Sequence, residues 1–212
     1  MTHKYKGKTI RIEQDEDPMS PRDWDNAGTM ICWHKNYELG DENEFHSPDS
    51  FEEWWAENGK GGVRLPLYLY DHSGITMRTS PFSCPWDSGK VGWIYMTEEE
   101  IKKDFPAHTE KPLGWPVDNN DWKKPPIARA LACLEAEVKT YDQYLTGDVY
   151  GYIIEDEDES CWGFYGEDYC LQEAQSVVDY IVNREKKEKQ KKLKSMITKH
   201  VPLSYRQQEL TL

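Results

Sequence analysis

A chain of 212 residues, 37% hydrophobic and 31% charged, is long enough for one sizeable core. Its formal charge of −13 argues against general affinity for nucleic acid, and it has no apolar run of about 18 residues to cross a membrane. Five cysteines, an odd number at wide spacing, make no disulfide framework and point to a reducing cytoplasm.

Thr9 to Glu13 predicts a short strand, and the stretch before it lacks the apolar core of a signal peptide. Asp15 to Asn26 follows as an acidic loop that Pro18 and Pro21 keep from regular structure. Gly28 to Trp33 reads as a buried strand, and His34 to Ser47 as turns. Ser47-Pro48-Asp49-Ser50 starts a short helix, with Ser47 or Asp49 as cap, Pro48 in the first turn, and Phe51, Trp54 and Trp55 on one face.

Leu65 to Thr97 is the stretch the chain is organised around. An apolar run through Leu69 and Tyr70 ends in a tight turn at Asp71, His72, Ser73 and Gly74, Ile75 to Thr79 returns, and Val91 to Met96 forms a further strand. Between them Pro81, Pro85, Ser88 and Gly89 break the backbone, so polar residues collect at strand ends, where a rigid scaffold presents them to a ligand.

Thr97-Glu98-Glu99-Glu100 resembles a capping box for a helix that Pro106 stops. His108 to Pro126 reads as a long surface loop with Trp115 and Trp122 as anchors. Ile127, Leu131, Leu134, Val138, Tyr141 and Leu145 recur at steps of four and three, an amphipathic helix that Gly147 caps. Val149 to Ile154 and Cys161 to Tyr165 predict two strands around an acidic turn, with Trp162, Phe164 and Tyr165 in the core. Glu167 or Asp168 starts a last helix with Leu171, Ala174, Val177, Val178 and Ile181 on its apolar face. Beyond Asn183 that face disappears, so the helix is expected to leave the body, fray or lie on a partner until Met196, Ile197, Val201 and Leu203 resume. The order of elements gives an α+β fold in a single domain: a mixed or antiparallel sheet packed with helices, and a long basic C-terminal helix.

Charge divides the chain. Residues 1–183 hold 17 Lys and Arg against 36 Asp and Glu, a net −19, whereas residues 184–199 hold 8 against 2, a net +6. The expected organisation is an acidic α+β domain over 1–183 and a basic helical tail over 184–212. The tail suits phosphate groups or the acidic face of another copy, which makes a homo-oligomer through the C-terminal helix one expectation.

For an enzyme, the candidate catalytic residues are His72 as base, with Asp71, and Cys84 as nucleophile where His72 lies beside it. Cys84 has no second cysteine at metal-ligand spacing, so the sequence does not support a zinc ribbon or a thioredoxin-type redox pair. Asp15, Asp17, Asp23, Asp25, Asp41 and Glu42 offer oxygen ligands for a divalent cation, or with His34 and His46 a hydrolytic metal centre, although the spacing is not that of an EF-hand. No other cofactor is expected. As a binding surface the candidates are Asp15, Asp17, Asp23, Asp25, Trp86, Asp87, Tyr144 and Asp148, the last two from a helix end dense in tyrosine and carboxylate.

The blocks LPLYLYDHSGITM, SPFSCPWDSGKVGWIYMT, YDQYLTGDVYGY and SCWGFYG, together with RDWDNAGTMICWH, resemble a family of small bacteriophage and mobile-element proteins with no assigned activity. They span residues from about Arg22 to Gly166. The resemblance implies an accessory protein made in a bacterial host cytoplasm and carries over no catalytic residues. The leading expectation is therefore a non-enzymatic inhibitor of a host nucleic-acid-processing or defence protein, whose acidic, aromatic surface imitates DNA before a basic groove. A small phosphoester or nucleotide hydrolase, metal-dependent or not, is the alternative from another class, and nucleotide sequestration by stacking on Trp or Tyr is a third.

Overall fold

Strands form where β-branched and aromatic residues cluster, and the two short helices start where a hydroxyl residue precedes a charged turn. In the computed structural model, which describes residues 1–107, 111 and 121–200, the order is β1 (Thr2–Tyr5), β2 (Lys8–Gln14), β3 (Thr29–Cys32), α1 (Pro48–Asn58), β4 (Val63–Asp71), β5 (Ile75–Arg78), β6 (Ser88–Met96), α2 (Glu98–Asp104), α3 (Pro126–Thr146), β7 (Val149–Ile154), β8 (Glu159–Tyr165) and α4 (Glu167–His200). The fold is α+β with antiparallel sheets and a long C-terminal helix. The loop expected over His108 to Pro126 falls mostly outside the described residues, as do its anchor Trp115 and the distal Val201 and Leu203. Trp122 sits in a 3-10 turn, Asp121–Lys123, just before α3.

Contacts group the chain into two compact units, Met1–Glu16 with Val149–Leu212, and Asp17–Asp148. Neither boundary falls at residue 183, which α4 crosses as unbroken helix. The central unit holds 13 Lys and Arg against 24 Asp and Glu, so it carries −11 of the net −13.

In the terminal unit, β1-β2-β7-β8 form an antiparallel sheet. Alternation along β2 and β7 turns Ile10, Ile12, Tyr152 and Ile154 to one face, where Cys170, Ala174, Val178 and Ile181 of α4 cover them. Trp162 departs from its expected core position. It is 45% exposed and lies against Gly151 on the neighbouring strand, where the missing side chain leaves room for the indole.

In the central unit, the antiparallel order β3-β6-β4-β5 makes a sheet covered on both faces. Met30 pairs with Ile94 and Ile31 with Trp93 across β3 and β6, so adjacent residues serve opposite layers. One layer joins Met30, Leu67, Leu69, Met77 and Ile94 to Leu134, Val138 and Tyr141 of α3. The other gathers Trp33, Phe45, Trp54, Trp55, Trp93 and Tyr95 around Phe51. Both short helices carry full capping boxes, Ser47 with Ser50 and Thr97 with Glu100. Gly147 ends α3 in the left-handed conformation at φ 72°.

Gly92 fixes how closely β3 approaches β6. A Cβ there would lie 1.9 Å from the Ile31 carbonyl oxygen, and a backbone atom has nowhere to go. Gly92→Ala is expected to cost about 1–3 kcal/mol in urea denaturation, the range for forced overpacking. A stability equal to the parent would mean that the strand pair yields freely.

Candidate functional site

Antiparallel pairing brings the end of β3, the end of β4, and the starts of β5 and β6 to one edge of the central sheet. The rim there is built from the loop after Cys32, the turn from His72 to Gly74, and the segment before Ser88. The turn is tight, with Ser73 at φ 59° and the His72 amide donating to the Gly74 carbonyl at 3.0 Å. The later segment is pinned at both ends. The Arg78 guanidinium lies 3.8 Å over the Phe82 ring and donates to the Ser80 carbonyl at 3.0 Å, while the Asp71 amide donates to the Asp87 carbonyl at 2.8 Å.

These constraints bring three expected site residues together. Asp87 Oδ2 lies 3.6 Å from both His72 Nδ1 and Cys84 Sγ. Asp71 stands at the adjoining strand end and accepts from the Tyr37 hydroxyl at 3.3 Å. Desolvation, then the Asp71 charge, holds the Tyr37 phenol above its ordinary pKa, so it remains a donor. Trp86, between Pro85 and Asp87, is 91% exposed. Concavities border the rim, among them one of about 500 Å³ lined by Trp33, Asp71, Trp86, Asp87 and Lys90, and another of about 750 Å³ in the loop that bears Tyr37, Glu38 and Glu42. Trp33, His34 and Lys35 line both, and His34 stacks on Tyr37 with centroids 5.0 Å apart. The Lys90 ammonium sits 3.4 Å from the centre of the Trp93 ring, and desolvation, aided by Arg64, lowers its pKa.

The geometry does not set His72 and Cys84 as a base and nucleophile pair. A cysteine nucleophile needs its base within hydrogen-bond reach, and no hydrogen bond joins His72 to Cys84; both address the same carboxylate oxygen. Three other thiols are set for inertness by burial, Cys32 pushed up to about 12 and Cys133 and Cys170 to about 11. Among the described residues no group of three His, Cys, Asp or Glu side chains, the His72, Cys84 and Asp87 cluster included, is placed to hold a metal ion. The expected convergence of acidic loops on a cation is thus not formed there: Asp41 is occupied by Arg22, Asp23 and Asp25 point outward around a 3-10 turn, Asp17 is exposed, and Asp15 belongs to the other unit. Tyr144 and Asp148 serve the end of α3. Tyr144 packs on the core beside Tyr141, and Asp148 accepts from Gln143 at 2.9 Å.

What remains at the rim is an exposed indole flanked by two carboxylates, an arrangement suited to a guanidinium that stacks and forms charge-assisted hydrogen bonds together. Glu38 and Glu42 line the adjoining concavity beside Tyr37. Tyr37 and Lys90 were missed in the sequence because each acts through a partner on a different strand or loop. Arg22 did leave a signal, as the single Lys or Arg between Ile12 and His34 among six carboxylates. Comparison of the chain with protein families, curated proteins and solved structures finds no match.

Proposed function

We propose that this chain is a non-enzymatic binding protein, an accessory factor of a phage or mobile element that occupies a Lys/Arg-lined groove on a host nucleic-acid-processing or defence protein. The carrying observation is Trp86, a large apolar ring 91% exposed beside Asp87. An exposed indole gains nothing from folding, and at an interface it is the kind of side chain that becomes an anchor. The −11 of the central unit supplies attraction and speed of encounter, while Trp86 with Asp71 and Asp87 supplies the fixed point.

The test is capture from a nuclease-treated bacterial lysate, followed by affinity measurement with the purified captured protein. Trp86→Ala combined with Asp87→Lys is expected to weaken binding roughly thirtyfold, the scale of a hot spot, while leaving thermal stability nearly unchanged. Duplex DNA should compete for the captured partner. Unchanged affinity in the double variant, or indifference to salt and DNA, would sink the proposal. His72→Ala in the same assay separates the hydrolase reading, which rests on His72 standing near Asp87; retained inhibition by that variant speaks against it.

A further inference from the structure

The C-terminal half of α4 carries cations all round, Lys192 and Lys199 included on the packed arc, but confines its carboxylates to one side. At 3.6 residues per turn, Glu185 and Glu188 fall on the arc that carries the packed Ala174, Val178 and Ile181 about one to four turns earlier. Arg184, Lys187, Lys191 and Lys194 recur at i, i+3, i+7 and i+10 away from that arc, and all four are exposed. Glu185 is tied to Lys8 at 2.8 Å, and Arg184 lies 3.6 Å from Glu157. Among the described residues Lys187, Lys191 and Lys194 have no ion-pair partner, so the stripe is left with like-charge neighbours three and four apart, which destabilise a helix. Burial does not offset this, because the apolar cluster ends at Ile181 and Val182.

We propose that this stripe binds the phosphate backbone of nucleic acid. Arg184 to Lys194 spans about 15 Å of helix, a length of duplex axis over which the two strands together carry about nine phosphates, enough to supply partners for four cations. A helix lying on an anionic membrane needs apolar side chains beside its cations, whereas the exposed Leu193 and Met196 lie off the stripe. The acidic central unit and the basic stripe then serve different partners, and the stripe does not depend on the function proposed for the rim.

The test follows a fluorescein-labelled DNA duplex of about 20 base pairs by anisotropy with the full chain. Affinity is expected to fall roughly a hundredfold between about 50 and about 200 mM salt, a log–log slope of about −3.6 for four neutralised phosphates. Lys187→Glu, Lys191→Glu and Lys194→Glu together are expected to weaken binding at least about tenfold at the lower salt, and the three Gln replacements, which keep helix propensity, should act in the same direction. Lys102→Glu with Lys103→Glu on α2 should leave binding as in the parent. Full-strength binding by the Gln variant, binding insensitive to salt, or absence of binding at the lower salt overturns the proposal. So does dependence of phosphatidylserine-vesicle binding or of dimer sedimentation on these lysines while DNA stays unbound.

Discussion

Replacing Arg22 with methionine is expected to destabilise the central unit by about 3–5 kcal/mol, the cost of stranding buried charge. The Arg22 side chain is 5% exposed, and its guanidinium grips Asp41 with two bonds of 2.6 and 2.7 Å, reaches Glu137 at 2.9 Å and donates to the Gly28 carbonyl at 2.7 Å. Desolvation opposes its charge, but the hydrogen bonds to Asp41 and Glu137 outweigh that and keep its pKa above the ordinary value. The carboxylates are committed as well. Glu137 accepts from the Ala27 and Gly28 amides at 2.9 and 3.2 Å, and Asp41 from the Met30 amide at 2.7 Å, so the network welds the segment before β3, the loop after it, and α3. Denaturant titration of the parent, Arg22→Met, Glu137→Met and the double variant gives the coupling, and the double variant should cost less than the sum. A single-variant loss below about 1 kcal/mol would mean that water already solvates these charges.

Phe51→Ala is the second large effect, also about 3–5 kcal/mol. Phe51 is fully buried, with Phe45 and Tyr95 at 5.2 Å, Trp55 at 5.9 Å, Trp54 at 6.0 Å, Trp33 at 6.3 Å and Trp93 at 6.4 Å between centroids. Rings that surround a void on every side cannot all collapse into it. Near-ultraviolet circular dichroism should lose intensity along with stability in denaturant, and Phe51→Leu should recover much of both. A cost below about 1.5 kcal/mol would show that the layer repacks.

The sequence made visible whatever local chemistry decides. Ser47 and Thr97 cap helices because their hydroxyls reach amides three residues on, and Gly147 stops α3 because it takes positive φ. The stripe from Leu134 to Tyr141 faces the core as its period requires. Three features escaped for one reason, dependence on distant chain. β1 has no apolar alternation of its own and exists through pairing with β2. Arg22 finds partners 19 and 115 residues away. Trp162, assigned to the core by ring size, stays half open because its face of the sheet carries Gly151 rather than the α4 layer. Of the site, the stretch itself and the strand-end position of Asp71 and His72 were legible. The meeting of His72, Cys84 and Asp87 around one oxygen was not, since it depends on how the segment before Ser88 folds back.

The pairing of β2 with β7 sets an order of events during synthesis. Gln14 stands opposite Tyr150 and the Asp15 amide donates to the Val149 carbonyl, so the two strands meet as a hairpin would, yet the 134 residues 15–148 intervene. At ribosomal rates of about 5–20 residues per second, the β1–β2 ribbon waits on the order of ten seconds for its neighbour. A two-stranded ribbon is marginal alone. The central unit therefore has time to complete itself as the nascent chain grows, and β1 and β2 are among the last strands to settle.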